Sequence, residues 1–264
     1  MLIKPTAKTS IVPSISEIKL IRSLHQKKFR EAENSFIAEG VKVVEELLLS
    51  EIIISKIYST NKYAEQIERS NRNLKNKIVI VSDEELKKIS ALTTPNQVLA
   101  VAEIPEGNIN YDTVNNSLTL ALDGVSDPGN LGTIIRTAHW FGIENIICSE
   151  NCVDAYNPKV VQAAMGSLFF VNVIQTNLRE FFSSVKKTLP VYGTVLDGKS
   201  MYESKLKSPA IILLGNESTG ISIELKSFIA YPVTIPSAVQ KGKHKPDSLN
   251  VASAASILCA EFFR

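Results

Sequence analysis

Asp123-Gly124-Val125-Ser126-Asp127-Pro128-Gly129-Asn130-Leu131-Gly132-Thr133-Ile134-Ile135-Arg136-Thr137-Ala138 follows directly on the apolar run Leu118–Leu122. A continuous apolar run of that length reads as a strand buried on both faces. The periodicity from about Leu131 to Phe141 reads as a helix. The quoted residues therefore form a strand-to-helix turn shaped by Gly and Pro, the kind of place where α/β sheets bind ligands. Asn130 carries a bifunctional amide near the helix start. Arg136, on the same helix, suits a phosphate or a ribose edge. The plainer alternative is a capped turn with an ordinary helical arginine.

Further apolar strands are predicted over Glu144–Cys148, Val171–Ile174, Val191–Thr194, Ile211–Leu214 and Tyr231–Ile235. Helices are predicted over Pro158–Met165 and about Leu249–Phe263. Continuous rather than alternating strands imply a parallel sheet with helices on both faces. Two more polar clusters lie at strand exits. Leu213-Leu214-Gly215-Asn216-Glu217-Ser218-Thr219-Gly220-Ile221 places a carboxylate between glycines, and Gly215 lets a ligand approach the backbone. It lacks the G-x-G-x-x-G spacing of a dinucleotide site. After Tyr231–Pro236 and a basic loop, Ser248-Leu249-Asn250 opens the last helix through a run of small residues.

The first half alternates helix and strand. A helix is expected over residues 16–30, capped by Ser14 or Ser16, and strands near 35–38, 52–58, 77–81 and 97–104. Helices fall between them, the last capped by Asp83. Residues 105–117, with Pro105, Gly107 and four asparagines, read as a linker. The expected organisation is thus a smaller α/β domain at 1–104, a linker at 105–117 and a parallel-sheet domain at 118–264.

Net charge is only +2, yet residues 1–30 hold Lys4, Lys8, Lys19, Arg22, Lys27, Lys28 and Arg30 against Glu17 alone. A basic end on an acidic body suits an anionic partner such as RNA. The three cysteines, Cys148, Cys152 and Cys259, form neither a disulfide framework nor a zinc spacing, so no metal is expected. No apolar run reaches membrane-spanning length and no secretory leader is evident, so a cytoplasmic protein is expected.

The order N-L-G-T-I-I-R-T-A, L-G-N-E-x-x-G-I, then I-P…S-L-N-V-A-S-A resembles the three signature motifs of the SpoU (TrmH) branch of the SPOUT methyltransferases. The resemblance covers residues 118–264. Phe29-Arg30…Phe36-Ile37-Ala38-Glu39-Gly40 is similar to the ribosomal-protein-like RNA-binding domain that precedes the catalytic domain in several members. The resemblance implies an α/β fold with a deep trefoil knot, a homodimer, and S-adenosylmethionine as cofactor. It implies methylation of a ribose 2′-hydroxyl, with large-subunit (23S) ribosomal RNA favoured by the domain layout. Transfer RNA, or a non-catalytic RNA-binding assembly factor, are the alternatives.

Carried over by motif position, the catalytic residues are Asn130, Arg136, Glu217, Ser248 and Asn250. Cofactor contacts are Thr194, Leu196, Gly215, Asn216, Gly220, Ile235 and Leu249. In this reading Asn130 orients Arg136 or the ribose, and Glu217 holds Asn130 or Arg136. Arg136 clamps the phosphate and the 2′-oxygen, because a guanidinium is a poor base. The eleven residues between Pro236 and Ser248 exceed the family pattern. Their lysines Lys241, Lys243 and Lys245 join Lys27, Lys28 and Arg30 as expected RNA contacts.

Overall fold

The computed structural model describes residues 13–239, 243–244 and 246–264. In chain order the first half contains α1 (Ile15–Ser23), α2 (Lys27–Glu33), β1 (Ser35–Glu39), α3 (Val41–Leu49), β2 (Ile54–Ser59), α4 (Asn61–Ser70), β3 (Ile78–Ile80), α5 (Asp83–Ile89) and β4 (Val98–Glu103). The second half contains α6 (Tyr111–Asn116), β5 (Leu118–Leu122), α7 (Pro128–Trp140), β6 (Asn145–Cys148), α8 (Pro158–Ala164), β7 (Asn172–Gln175), α9 (Leu178–Ser184), β8 (Val191–Ser200), β9 (Ala210–Leu214), α10 (Ile223–Lys226), β10 (Tyr231–Thr234) and α11 (Val251–Phe262).

These elements form two compact units. One comprises the described residues up to Pro105 together with Tyr156–Phe169; the other comprises Glu106–Ala155 and Phe170–Arg264. The first unit holds a four-stranded sheet in the order β1-β4-β2-β3. Its core joins Ile21 and Leu24, Ile37 on β1, Tyr58 on β2, Leu86 and Ile89 on α5, and Leu99 on β4. Ser14 caps α1 through a reciprocal capping box with Glu17, and Ser82 caps α5 in the same way with Glu85.

Three expectations for this half need correction. The single helix expected at 16–30 is two, because the chain turns at Leu24, His25 and Gln26 before α2 begins. Arg30 is buried, 2% exposed, and its Nη1 donates to the Leu24 carbonyl at 2.7 Å. It braces that turn and is not an exposed RNA contact. The cap of α5 is Ser82, one residue before Asp83. The second half is not one continuous unit. Phe36, fully buried on β1, has its ring centroid 4.9 Å from Tyr156 and 6.0 Å from Phe169. Burying these aromatics together draws Tyr156–Phe169, with α8, into the first unit.

The second unit is built on a six-stranded sheet in the order β10-β8-β9-β5-β6-β7. Every neighbouring pair in it is parallel. β5 and β9 lie in the middle and are buried along their whole length, as their unbroken apolar sequences require. Part of the expected linker is helix: Asn110 accepts from the amides of Asp112 and Thr113, starting α6, and Val114 sinks into the core beside Ala121 and Ile211. Six residues are too few for the apolar period to show.

The Glu17 carboxylate pairs with Lys56 and accepts from the Ser14 amide at 2.8 Å. The Lys56 bond leads the contacts that draw its pKa from 4.5 down to about 2. A lowered folded value means the stabilisation is present above the unfolded pKa and is lost as pH falls through the folded one. Both partners are partly exposed, so the effect is small. Glu17→Gln is expected to cost roughly 0.5–1 kcal/mol at neutral pH. The difference from wild type in urea denaturation should close as pH falls from about 4.5 to about 2.

Candidate active site

Parallel strands send all their carboxyl ends to one edge of the sheet. The turns after β5, β9 and β10 therefore emerge together, although they are spread over more than a hundred residues of sequence. The first turn leads into α7. Asp127 is its N-cap, its Oδ1 accepting from the Asn130 amide at 2.8 Å, and Pro128 occupies the first helical turn, where its missing N–H costs nothing. Asn250 caps α11 in the same manner, its Oδ1 accepting from the amides of Ala252 at 3.0 Å and Ser253 at 3.2 Å.

That cap sets the direction of a hydrogen-bonded chain across all three motifs. With its oxygen occupied, Asn250 must use Nδ2 outward, and Nδ2 donates to Asn130 Oδ1 at 2.8 Å. Asn130 is then left with Nδ2, which donates to the Glu217 carboxylate. A carboxylate only accepts, so the chain runs in one sense, Asn250 to Asn130 to Glu217. Three of the five expected catalytic residues are brought together in this way. Of the two expected partners for Glu217, the structure selects Asn130.

Arg136 stands apart. Six residues after Asn130 on an α-helix is about 240° of rotation, so the two lie on different faces of α7. Arg136 is exposed and makes no hydrogen bond or ion pair among the described residues, and Asn130, expected to orient Arg136 or the ribose, makes its side-chain hydrogen bonds to Asn250 and Glu217. Ser248 is exposed two residues before the Asn250 cap.

The expected cofactor residues line the carboxyl ends of β10, β8 and β9. The register of β10 against β8 jumps from Pro232↔Gly193 to Val233↔Lys199, so residues 194–198 bulge out of the ladder. Thr194 opens the bulge, its Oγ1 donating to the Leu213 carbonyl at 3.2 Å. Leu196 on the bulge is 71% exposed and Leu249 49%. Ile235 is half-buried just after β10. Gly215 is required by contact: a Cβ there would lie 2.3 Å from the Gly220 carbonyl carbon and 2.4 Å from the Ile221 nitrogen. Gly220 has φ +69° and its N–H donates to the Asn216 carbonyl, closing the turn. The Asn216 side chain braces two turns at once, since Nδ2 donates to the Gly124 carbonyl at 2.8 Å and Oδ1 accepts from the Ser218 amide at 2.8 Å.

The site also uses residues that the motif reading passed over. Asp127 supplies the cap, and the buried Asp123 accepts from the Ser222 amide at 2.7 Å, tying the first turn to the second. Asp127 carried a visible signal, since Asp before Pro is a helix-start pattern. Asp123 carried none, because its partner lies 99 residues on. Among the described residues no His, Cys, Asp and Glu cluster could hold a metal. The neighbouring Cys152 and burial push the Cys148 thiol up. Of the expected RNA contacts, Lys27, Lys28 and Lys243 are exposed, with Lys28 Nζ 4.7 Å from the Phe29 ring centroid. Lys241 and Lys245 lie outside the described residues.

Residues 117–260 match the SpoU rRNA Methylase family, and residues 16–100 match the MRM3-like substrate binding domain. The chain belongs to the SpoU rRNA methylase family. It is 32% identical to the 23S rRNA (guanosine(2553)-2′-O)-methyltransferase RlmP of Bacillus subtilis, over 92% of this chain and 94% of that protein. Among solved structures, a TrmH-family protein from Porphyromonas gingivalis superposes with a TM-score of 0.83 at 37% identity, covering 94% of this chain and 97% of that one. An AdoMet-bound rRNA methyltransferase from Sinorhizobium meliloti gives 0.81 at 31% identity, covering 95% of each.

Gly215→Ala tests the packing of the second turn. The added methyl meets the Gly220–Ile221 backbone, with no side chain to displace. We expect a loss of about 1–3 kcal/mol in urea denaturation with an unchanged m-value.

Proposed function

We propose that this chain transfers a methyl group from S-adenosylmethionine to a ribose 2′-hydroxyl of RNA, and that its substrate is large-subunit (23S) ribosomal RNA. The observation that carries the reading is the Asn250–Asn130–Glu217 chain at the carboxyl edge of a parallel sheet. The similarity to RlmP and to the AdoMet-bound Sinorhizobium meliloti structure supports the activity, cofactor and substrate class.

S-adenosylmethionine supplies an electrophilic methyl on a sulfonium. Thr194, Leu196, Gly215, Gly220, Ile235 and Leu249 would hold it by backbone groups and apolar contact, while Asn216 acts through the turns it braces. What the protein must add is positioning and the disposal of one proton. Glu217 orients Asn130, and Asn130 with Ser248 and Asn250 lines the ribose side. Arg136 clamps the phosphate beside the 2′-oxygen; an exposed arginine with no partner among the described residues is available for that contact. The proton leaves to solvent or to a phosphate oxygen. Lys27, Lys28 and the lysines of the 237–247 loop add non-specific affinity for RNA.

A homodimer with the site near the subunit boundary belongs to the same reading, as does a trefoil knot in the chain around β8, β9, β10 and α11. Trp140, at the end of α7, is 85% exposed, and Phe263, after α11, is 54% exposed. The pair Phe141 and Phe263 stacks at 5.5 Å. Apolar surface of this kind at adjacent helix ends suits a second copy.

Titration calorimetry should show saturable S-adenosylmethionine binding, and radiolabelled methyl should appear in ribosomal rather than transfer RNA. Label confined to the transfer-RNA pool would overturn the substrate, and no binding with or without RNA would overturn the activity. Glu217→Ala is expected to lower kcat by roughly a hundredfold or more, by releasing Asn130. The Arg136 clamp makes a further prediction for single-turnover rates across pH. Arg136→Lys should slow the reaction at every pH and leave the shape of the profile unchanged. A basic limb that disappears in that variant would make Arg136 the base.

A further inference from the structure

The turn that launches α7 is gripped on both sides of Gly124, and one of the two grips comes from a residue outside the three motifs. Gly124 is buried, with φ +70°. Its carbonyl accepts from Asn216, as above. Its N–H donates to the Ser149 hydroxyl at 2.9 Å, 25 residues away and just past the end of β6. Ser149 is 8% exposed, and its own proton goes to the Asn151 side-chain oxygen. The hydroxyl thus both accepts and donates.

Other contacts mould residues 149–153 around the same turn. The Ser149 amide donates to the Leu122 carbonyl at 2.9 Å, and the Val153 amide to the Val125 carbonyl at 2.9 Å. Cys152 Sγ lies 3.4 Å from the Ser149 hydroxyl and 3.3 Å from the Leu122 carbonyl. Gln175, at the end of β7, donates to the Cys152 carbonyl at 2.9 Å and the Glu150 carbonyl at 3.0 Å. Backbone bonds hold the strand ends, so the Ser149 hydroxyl is the side-chain contact that fixes the amide at the turn's apex.

We propose that Ser149 is a positioning residue for methyl transfer: through Gly124 it sets the start of α7 and thereby the place of Asn130. The inference rests on the proposed activity for its consequence and on the hydrogen bonds alone for its geometry. Without the hydroxyl, the Gly124 N–H is buried with no acceptor and the turn must shift to satisfy it. Asn130 is six residues further along a chain that enters the helix directly from this turn. A displacement of an ångström at a positioned group is enough to slow a reaction by orders of magnitude. Asn216 is the cofactor residue that touches this path, at the Gly124 carbonyl, and the Ser218 amide holds its side chain from the other end.

The test compares Ser149→Ala with Ser149→Thr, which keeps the hydroxyl, at a temperature where circular dichroism shows both folded. Ser149→Ala should lower kcat about tenfold, equivalent to ~1.4 kcal/mol of barrier. Its S-adenosylmethionine Kd and its KM for RNA should stay within about twofold of wild type. The Gly124 amide should exchange with solvent at least about tenfold faster, and the Asn130 side-chain NH2 resonances should move. Ser149→Thr should restore all of these towards wild type. An unchanged kcat in Ser149→Ala overturns the proposal, as does a fall in kcat matched by an equal loss of cofactor affinity, which would make the hydroxyl merely structural. If the wild-type protein methylates no RNA, the functional reading fails separately. Exchange and resonance positions then decide: moved signals sustain the geometry, and unmoved signals overturn it.

Discussion

Parallel strands all run one way, and every turn that leaves their carboxyl ends arrives at the same edge. In this protein that constraint brings residues 123–130, 215–220 and 248–250 into one place, although their strands are far apart in sequence. The central strands β5 and β9 carry no polar residue that needs water apart from the buried Thr119, so they are covered on both faces and cannot slide. The contact between Asn130 and Glu217 follows from where the sheet sends these turns.

The polar groups at that edge are arranged so that each one's partner leaves the next a single option. Asn250 spends its oxygen on the first amides of α11, so its nitrogen faces Asn130, whose nitrogen then faces Glu217. An asparagine amide is ambiguous when isolated. Here a helix cap at one end and a carboxylate at the other remove the ambiguity. Glycine plays the complementary part at Gly215, where two stretches of backbone approach too closely for a Cβ. Capping, a routine device of helix stability, here also points the Asn250 amide at Asn130.

Much of this was legible in the residues. Continuous apolar runs marked the strands of the buried sheet, because burial on two faces leaves a pattern unlike the alternation of a surface strand, and the polar clusters at their exits supplied the side chains that meet there. Short elements were not legible. α6 has six residues and begins among asparagines that also signal loops. Arg30 sits in a basic stretch and looks like a surface charge, yet it is the donor that closes a helix–helix turn. Tyr156–Phe169 reads as a piece of the second half, but the fully buried Phe36 claims it for the first. In each case the deciding partner lay elsewhere in the chain, beyond the reach of local pattern.

The same division separates what the two levels of information determine. By itself the sequence determined the element types, the parallel character of the second sheet and the identity of the polar residues at its exits, since these follow from local hydrophobic pattern and from motif order. Only the tertiary structure decided which of those residues touch. It joined Glu217 to Asn130, set Arg136 on another face of α7, withdrew Arg30 from the surface and placed Ser149 against Gly124. Contacts between loops depend on the register and spacing of whole strands, and no short stretch of sequence encodes the distance between two of them.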